Sequence, residues 1–330
     1  MRRCAIFIEQ RNQKICSIGL ELLSEVKRQL KEDAVITAIL LTDQETDQQI
    51  TDMTSCGADE IIIVHSPKLK DYDTHYYSQM LSKVIVKEAF DVVLLGSTLI
   101  GRDLAPRISA RLHTGLTADA TLLEFNKTDE KLELLATRPA LGGNLFATII
   151  CPLTLPQMAT VRPGVFPVEV NMNRTSSVTY VDFDVDSLSK VKILEKKSLD
   201  TEYKDLTKAK LIIAGGRGVS NMFSTLKDIA KLTGGDLAAS RAVVDALIEP
   251  KDRLVGQTGT TVRPSVYLAS GISGAVQHVS GMDKSELIIA INTDPNALIF
   301  DIADVSIICD AKKVLPLLKL EIESILHYQS

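Results

Sequence analysis

The chain has 330 residues, 45% of them hydrophobic and 24% charged, the composition of an ordinary globular protein about two domains long. Its 37 basic and 42 acidic residues leave a net charge of −5, which argues against a nucleic-acid or polybasic membrane binder. Cys4, Cys16, Cys56, Cys151 and Cys309 show no CxxC or CxxxC spacing, so they read as buried thiols in a reducing compartment, not as iron–sulfur ligands. No run reaches the length of a membrane span, and MRRCAIFIE enters a strand without a signal-peptide core, so the expected location is cytoplasmic.

Strands are expected at Cys4–Glu9, Val35–Leu41, Glu60–His65 and Asp91–Ser97, with helices at Gly19–Lys31 and Tyr76–Phe90, where apolar residues recur at three- and four-residue intervals. VITAILL and DVVLLGS are apolar throughout, as parallel strands covered on both faces are, which predicts an α/β layer fold with right-handed crossovers. The arginines of GRDLAPRISARL read as a solvated helix face, with a partner surface as the alternative. From Ala118 to about Asp184, Gly- and Pro-punctuated β segments predict an antiparallel or mixed extension of the first domain. Asp186–Lys208 is rich in Ser, Lys, Glu and Asp. It divides the chain into an N-terminal α/β domain over 1–190, a linker over 191–208 and a second α/β domain over 209–330, with Rossmann-like strand–helix alternation.

In the second half, polar residues follow successive strands, where open α/β sheets bind ligands. LIIAGGRGVS ends a strand in a glycine turn. Arg217 reads equally as a solvent-facing side chain or a phosphate contact, and the next helix is expected to start near Asn221. In DLAASRAVVDA, Ser240 is a candidate helix cap or ligand contact, and Arg241 offers a permanent, planar cation. VGQTGTTVRPSVYLASGISGAVQHVSGM sets two glycine turns around one strand. Gln257 and Thr258 lie in the first turn, and Ser273 and Gly274 are expected to open a helix with His278 one turn in. Asn292 and Asp294 read as an Asx turn beyond a strand, and Asp310 as the cap of the last helix.

GGRG, ASRAVVDA, GQTG, SGISGAVQH, AINTDP and ADVSIICD, in this order and spacing, resemble the electron-transfer flavoprotein alpha subunit, as do GSTLIGRDLAPRISARL and TRPALGGNLFATI in the first half. The resemblance implies an FAD held mainly by the C-terminal domain, a heterodimer with a beta subunit contacted by the N-terminal domain, and a partner such as an acyl-CoA dehydrogenase. It implies cofactor contacts at Arg217 and Ser240, and Arg241 beside the isoalloxazine. Val255, Gly256, Gln257 and Thr258 match the segment along the flavin. Ser273, Gly274, Ala275, Val276, Gln277 and His278 match the turn and helix by the pyrophosphate and flavin, with His278 near O2. Asn292, Asp310 and Ala311 match the adenosine end. One departure is Thr260, where the family often has Lys. TRPALGGN and MATVRPGVF look closer to the anaerobic, flavin-bifurcating branch, in which a second FAD and an NADH site lie mainly on the beta subunit. The alternative is a dinucleotide-binding subunit of an NAD(P)-linked oxidoreductase, or a non-redox adenine-nucleotide module.

Overall fold

The computed structural model describes residues 2–127, 132–140, 145–182, 187–196 and 205–329, which form two compact units, one up to residue 196 and one from 205. In the first, β1 (Arg3–Ile8) leads through a hairpin of β2 (Gln10–Arg11) and β3 (Lys14–Ile15) into α1 (Ser17–Leu30). β4 (Val35–Thr42), α2 (Asp47–Cys56), β5 (Glu60–His65), α3 (Thr74–Glu88), β6 (Val92–Gly96) and α4 (Leu99–Leu112) continue the alternation. β7 (Leu116–Ala120), β8 (Leu122–Lys127), β9 (Leu132–Ala140), β10 (Leu145–Ile149), β11 (Gln157–Val161) and β12 (Ser177–Val181) complete this unit.

Among the described residues, seven strands form a parallel sheet in the order β12-β5-β4-β1-β6-β11-β7, and β10-β9-β8 form a separate antiparallel sheet. The β region expected to be one extension is therefore divided. Its apolar segments at β7, β11 and β12 enter the main sheet, while β8–β10 pair by short connections among themselves. Side-chain alternation assigns the faces. Cys4, Ile6 and Ile8 pack with Leu22, Val26 and Met53, whereas Ala5 and Phe7 pack with Leu81, Ile85 and Ile108. The helix starts are local. Thr46 and Gln49 form a capping box on α2, Asp73 caps α3 and Thr98 caps α4. Of the α4 arginines, Arg107 pairs with Asp103 at 3.2 Å, and Arg102 donates to Ser97.

Residues 187–196 are pinned to the first unit: Ser189 donates to Asp73 Oδ2 at 2.6 Å, and Lys196 pairs with Asp71. Residues 197–204 of the expected linker lie outside the described residues. Leu206 already belongs to the core of the second unit.

The second unit contains β13 (Leu211–Gly215), α5 (Phe223–Thr233), β14 (Asp236–Ala239), α6 (Arg241–Asp245), β15 (Val266–Ser270), α7 (Val276–Val279), β16 (Ile288–Asn292), β17 (Val305–Ile308) and α8 (Ala311–Gln329). Its sheet is parallel, in the order β14-β13-β15-β16-β17. Ile213, Leu268 and Ile291 face α5 and α8 through Leu226, Ile229 and Leu315, while Ile212, Tyr267 and Ala290 face the opposite core. Strand order reverses about β13, so its carboxyl end, beside that of β15, is the topological switch point.

Candidate functional site

At that switch point the backbone turns close on each other. Gly216 N–H donates to Ser270 O at 2.8 Å and Gly218 N–H to Gly271 O at 3.2 Å. A Cβ on Gly216 would lie 2.1 Å from Gly271 O, so no larger residue fits this crossing. Arg217 stands exposed in the resulting short turn, and α5 begins at Phe223, two residues later than expected.

Ser240 occupies the N-cap position of α6, but its hydroxyl makes no capping hydrogen bond; its N–H donates to Gly215 O at 3.0 Å. Of the two roles open to Ser240, helix cap or ligand contact, the cap is therefore not the one it takes. Arg241 Nε donates to both oxygens of Asp245, at 2.8 and 2.9 Å, and Nη1 lies 3.4 Å from Thr258 Oγ1. The segment Leu254–Thr260 is stitched to its surroundings. Val255 N–H donates to Ala239 O, Thr260 N–H to Leu254 O, and Gln257 N–H to Gln277 O at 2.6 Å. Gly256 has φ +143°, and a Cβ there would lie 2.6 Å from Gln277 O.

The second glycine turn differs from expectation. Ser273 and Gly274 do not open a helix: the chain stays irregular through Ala275, and α7 is a single turn over Val276–Val279. The reason is visible at Gly274, where φ is +83° and a Cβ would sit 2.0 Å from Ile299 N. The backbone is turned into the left-handed region to pass the segment at Ile299, and helix can start only after it.

His278 is 7% exposed. Its Nε2 lies 3.0 Å from the Tyr267 hydroxyl, and its buried Nδ1 makes no hydrogen bond. Burial depresses its pKa to about 4, with the Val255 backbone acting weakly in the opposite direction, so the ring is neutral at pH 7. Asn292 Nδ2 donates to Ile272 O at 2.9 Å, and its Oδ1 accepts from Asp294 N–H at 3.0 Å, the expected Asx turn.

These groups surround one cavity of about 970 Å³. Arg217, Ser240, Arg241, Val255, Gly256, Gln257 and Thr258 line it, as do Ser273, Ala275, Gln277, His278 and Asn292. Four expected residues are not in its wall. Gly274 shapes the turn beneath it, and Val276 begins α7. Asp310 Oδ1 accepts from Lys312 N–H at the start of α8, and Ala311 is buried in the core under that helix. The cavity also recruits residues the motifs did not point to. Gly271 was legible as part of the glycine turn, Leu254 as the neighbour of Val255 and Asp245 as the residue four after Arg241 in ASRAVVDA, but Asn296 and Leu298 carry no local signal. Chemically, the wall offers backbone N–H groups, the guanidinium groups of Arg217 and Arg241, the carboxylates of Asp245 and Asp294, and a neutral imidazole. Among the described residues no group of three His, Cys, Asp or Glu could hold a metal ion. No helix among them is long and apolar enough to cross a membrane.

Comparison with known proteins gives these features a context. Residues 4–188 match the electron transfer flavoprotein domain, and residues 205–283 match the electron transfer flavoprotein FAD-binding domain, a span that runs from Leu206 past His278. The chain is 43% identical over 324 residues to the electron transfer flavoprotein subunit alpha of Thermoanaerobacterium thermosaccharolyticum, covering 97% of both chains. It is 42% identical to the corresponding subunit of Clostridium acetobutylicum, covering 97% of this chain and 96% of the relative. It is also 39% identical to the acryloyl-CoA reductase electron transfer subunit beta of Anaerotignum propionicum, covering 95% and 93%. The chain therefore belongs to the electron transfer flavoprotein alpha subunit family, and its second unit is that family's flavin-binding domain.

Proposed function

We propose that this chain binds FAD through its second unit and assembles with an electron-transfer flavoprotein beta subunit. The pair shuttles electrons between a flavin-dependent dehydrogenase, such as an acyl-CoA dehydrogenase, and other redox partners. The observation that carries this reading is the cavity at the β13/β15 switch point. Its volume of about 970 Å³ is large for a ligand pocket. Glycines 216, 256 and 274 leave space or backbone conformations that a side chain would remove, and Arg217 and Arg241 place guanidinium groups in the wall, the second held by Asp245. Those properties fit a long, flat, anionic dinucleotide.

When bound, FAD supplies a ring that accepts and returns electrons one at a time. This chain's residues would bind and bias it. Backbone N–H groups of the turn at Ser273, Gly274 and Ala275, together with Arg217, would hold phosphate oxygens, and Ser240 and Asn292 would add hydrogen bonds. Arg241, held by Asp245, would face the negative charge that reduction adds, and Gln257 and Thr258 would lie along the ring edge. His278 would contribute a dipole without a second cation, because its environment keeps it neutral.

On the first unit, the exposed side chains of Leu145, Phe146, Ile149, Ile150, Leu153 and Leu155 support a subunit contact. Five free thiols support a cytoplasmic setting. The reading extends to NADH-driven electron bifurcation with a second FAD mainly on the beta subunit; the resemblance of the TRPALGGN and MATVRPGVF segments to that branch supports the extension. An NAD(P)-linked dinucleotide-binding subunit is not favoured, since the relatives carry electron-transfer names. The test is to co-purify the chain with its beta subunit, record the visible spectrum and count FAD. One FAD plus AMP supports a simple carrier, and two FAD with reduction by NADH support bifurcation. A colourless heterodimer that binds NAD or ATP overturns the reading.

A further inference from the structure

Tyr267 lies in the middle of β15 and is completely buried, and its hydroxyl has one hydrogen-bond partner among the described residues, His278 Nε2 at 3.0 Å. The rings meet edge-on, with centroids 6.1 Å apart and planes at 62°. His278 Nδ1 is buried and unpartnered. Two proton arrangements are possible, and they are not equal. If Nε2–H donated to the phenol oxygen, the phenolic hydrogen and the Nδ1 lone pair would both be buried without partners. If the phenol donates to Nε2, only Nδ1–H is left over. Each orphaned buried group carries a desolvation penalty, so the second arrangement wins.

We propose that Tyr267 is a positioning residue: its hydroxyl donates to Nε2 and holds His278 in the cavity wall as the neutral Nδ1–H tautomer, with Nδ1–H turned to the buried Val255 backbone. Burial supports this by pushing the phenol's pKa up and the imidazole's down, so neither group changes charge near neutral pH. The Val255 backbone offers the ring a hydrogen bond that counters part of that downward push, and Val255 and His278 both line the cavity. The consequence at the cavity wall is an imidazole of fixed orientation and no charge. A cation at this position would overbind the reduced form; a mobile ring would have to be ordered each time.

The identity of the ligand rests on the FAD reading above, but the tautomer does not. The experiment is nitrogen NMR of ¹⁵N-histidine-labelled heterodimer, wild type and Tyr267→Phe, alongside the FAD dissociation constant and first reduction potential of each. Wild type should show a protonated Nδ1 and an unprotonated Nε2 at His278. Tyr267→Phe should lose that tautomer preference, bind FAD about two- to tenfold more weakly, as loss of one buried hydrogen bond implies, and shift the first potential. A wild-type His278 protonated on Nε2, or a Tyr267→Phe heterodimer with unchanged tautomer, affinity and potential, overturns the proposal. The wild-type spectrum decides the tautomer even where the variant does not fold. A heterodimer that takes up no FAD sinks the flavin reading while leaving the tautomer measurement intact.

Discussion

Both units are parallel sheets whose strand order reverses about a central strand, yet they treat that switch point in opposite ways. In the first unit, Glu9 follows β1 and is 4% exposed. Its carboxylate accepts from the Thr98 hydroxyl, from Arg11 at 3.0 Å and from the Cys16 thiol at 3.6 Å. Ile18 packs so tightly on Gly96 that a Cβ there would lie 2.6 Å away, and a Cβ on Gly101 would lie 1.8 Å from Gly96 O. The groups around Glu9 close on one another, and the buried charge there is a carboxylate paired with Arg11. In the second unit the glycines let one backbone cross another, and the cavity there is lined by Arg217, by the Arg241–Asp245 pair and by Asp294. One topology thus yields a packed edge and a ligand site, because the difference lies in loops and in the charge placed on them.

The largest effects should come from glycines. Gly274→Ala meets backbone at 2.0 Å and a φ of +83°, so it should destabilise the second unit by on the order of 3 kcal/mol and abolish flavin retention. Gly101→Ala should cost a similar amount in the first unit while the folded heterodimer keeps its flavin. Absorbance at 450 nm per folded heterodimer separates the two, and equal flavin loss in both would break the contrast.

Next in size is an acid-sensitive loss of stability set by His278. Its folded pKa of about 4 lies below the usual 6.5, so the unfolded state binds more protons between those values. Stability should therefore be full above pH 6.5 and fall as pH drops toward 4, by about 2 kcal/mol at pH 5. His278→Gln should remove that share of the pH dependence. Melting curves of both proteins at pH 7 and pH 5 check it, and identical slopes would refute it.

Glu9→Gln should destabilise the first unit by about 1–3 kcal/mol, through its buried hydrogen bonds, and leave flavin content unchanged. Denaturant titration with a parallel flavin assay reads both. The smallest effect is expected from Arg241→Ala. The side chain is largely exposed, so the first reduction potential should fall by about 60 mV or less, tenfold in a one-electron equilibrium. A rise in potential would place the guanidinium elsewhere.

Much of the architecture was readable because it depends on neighbours in the chain. Glu60–His65 forms the strand its apolar run predicts, and β1, β4 and β6 match expectation to within a residue at each end. α1 and α3 follow their three- and four-residue apolar spacing. The antiparallel region was harder. Whether an apolar β segment joins the main sheet, as β11 does, or a hairpin, as β9 does, is decided by strands far away in sequence. In the site, twelve of the expected residues line one cavity because each follows a strand end or a glycine turn, both visible in a single sequence. The helix expected at Ser273 did not form there, since the constraint is Ile299, a contact between segments 25 residues apart.

The linear order of residues settles where the strands end and where glycine relieves the backbone, because those are properties of a few adjacent residues. What partners each side chain finds is another matter. Tyr267 is an unremarkable strand residue until the fold brings its hydroxyl to His278, and Glu9 is an ordinary acid until Thr98, 89 positions away, closes on it. Burial, charge state and tautomer depend on the surrounding shell, and that shell exists only once the sheets are packed.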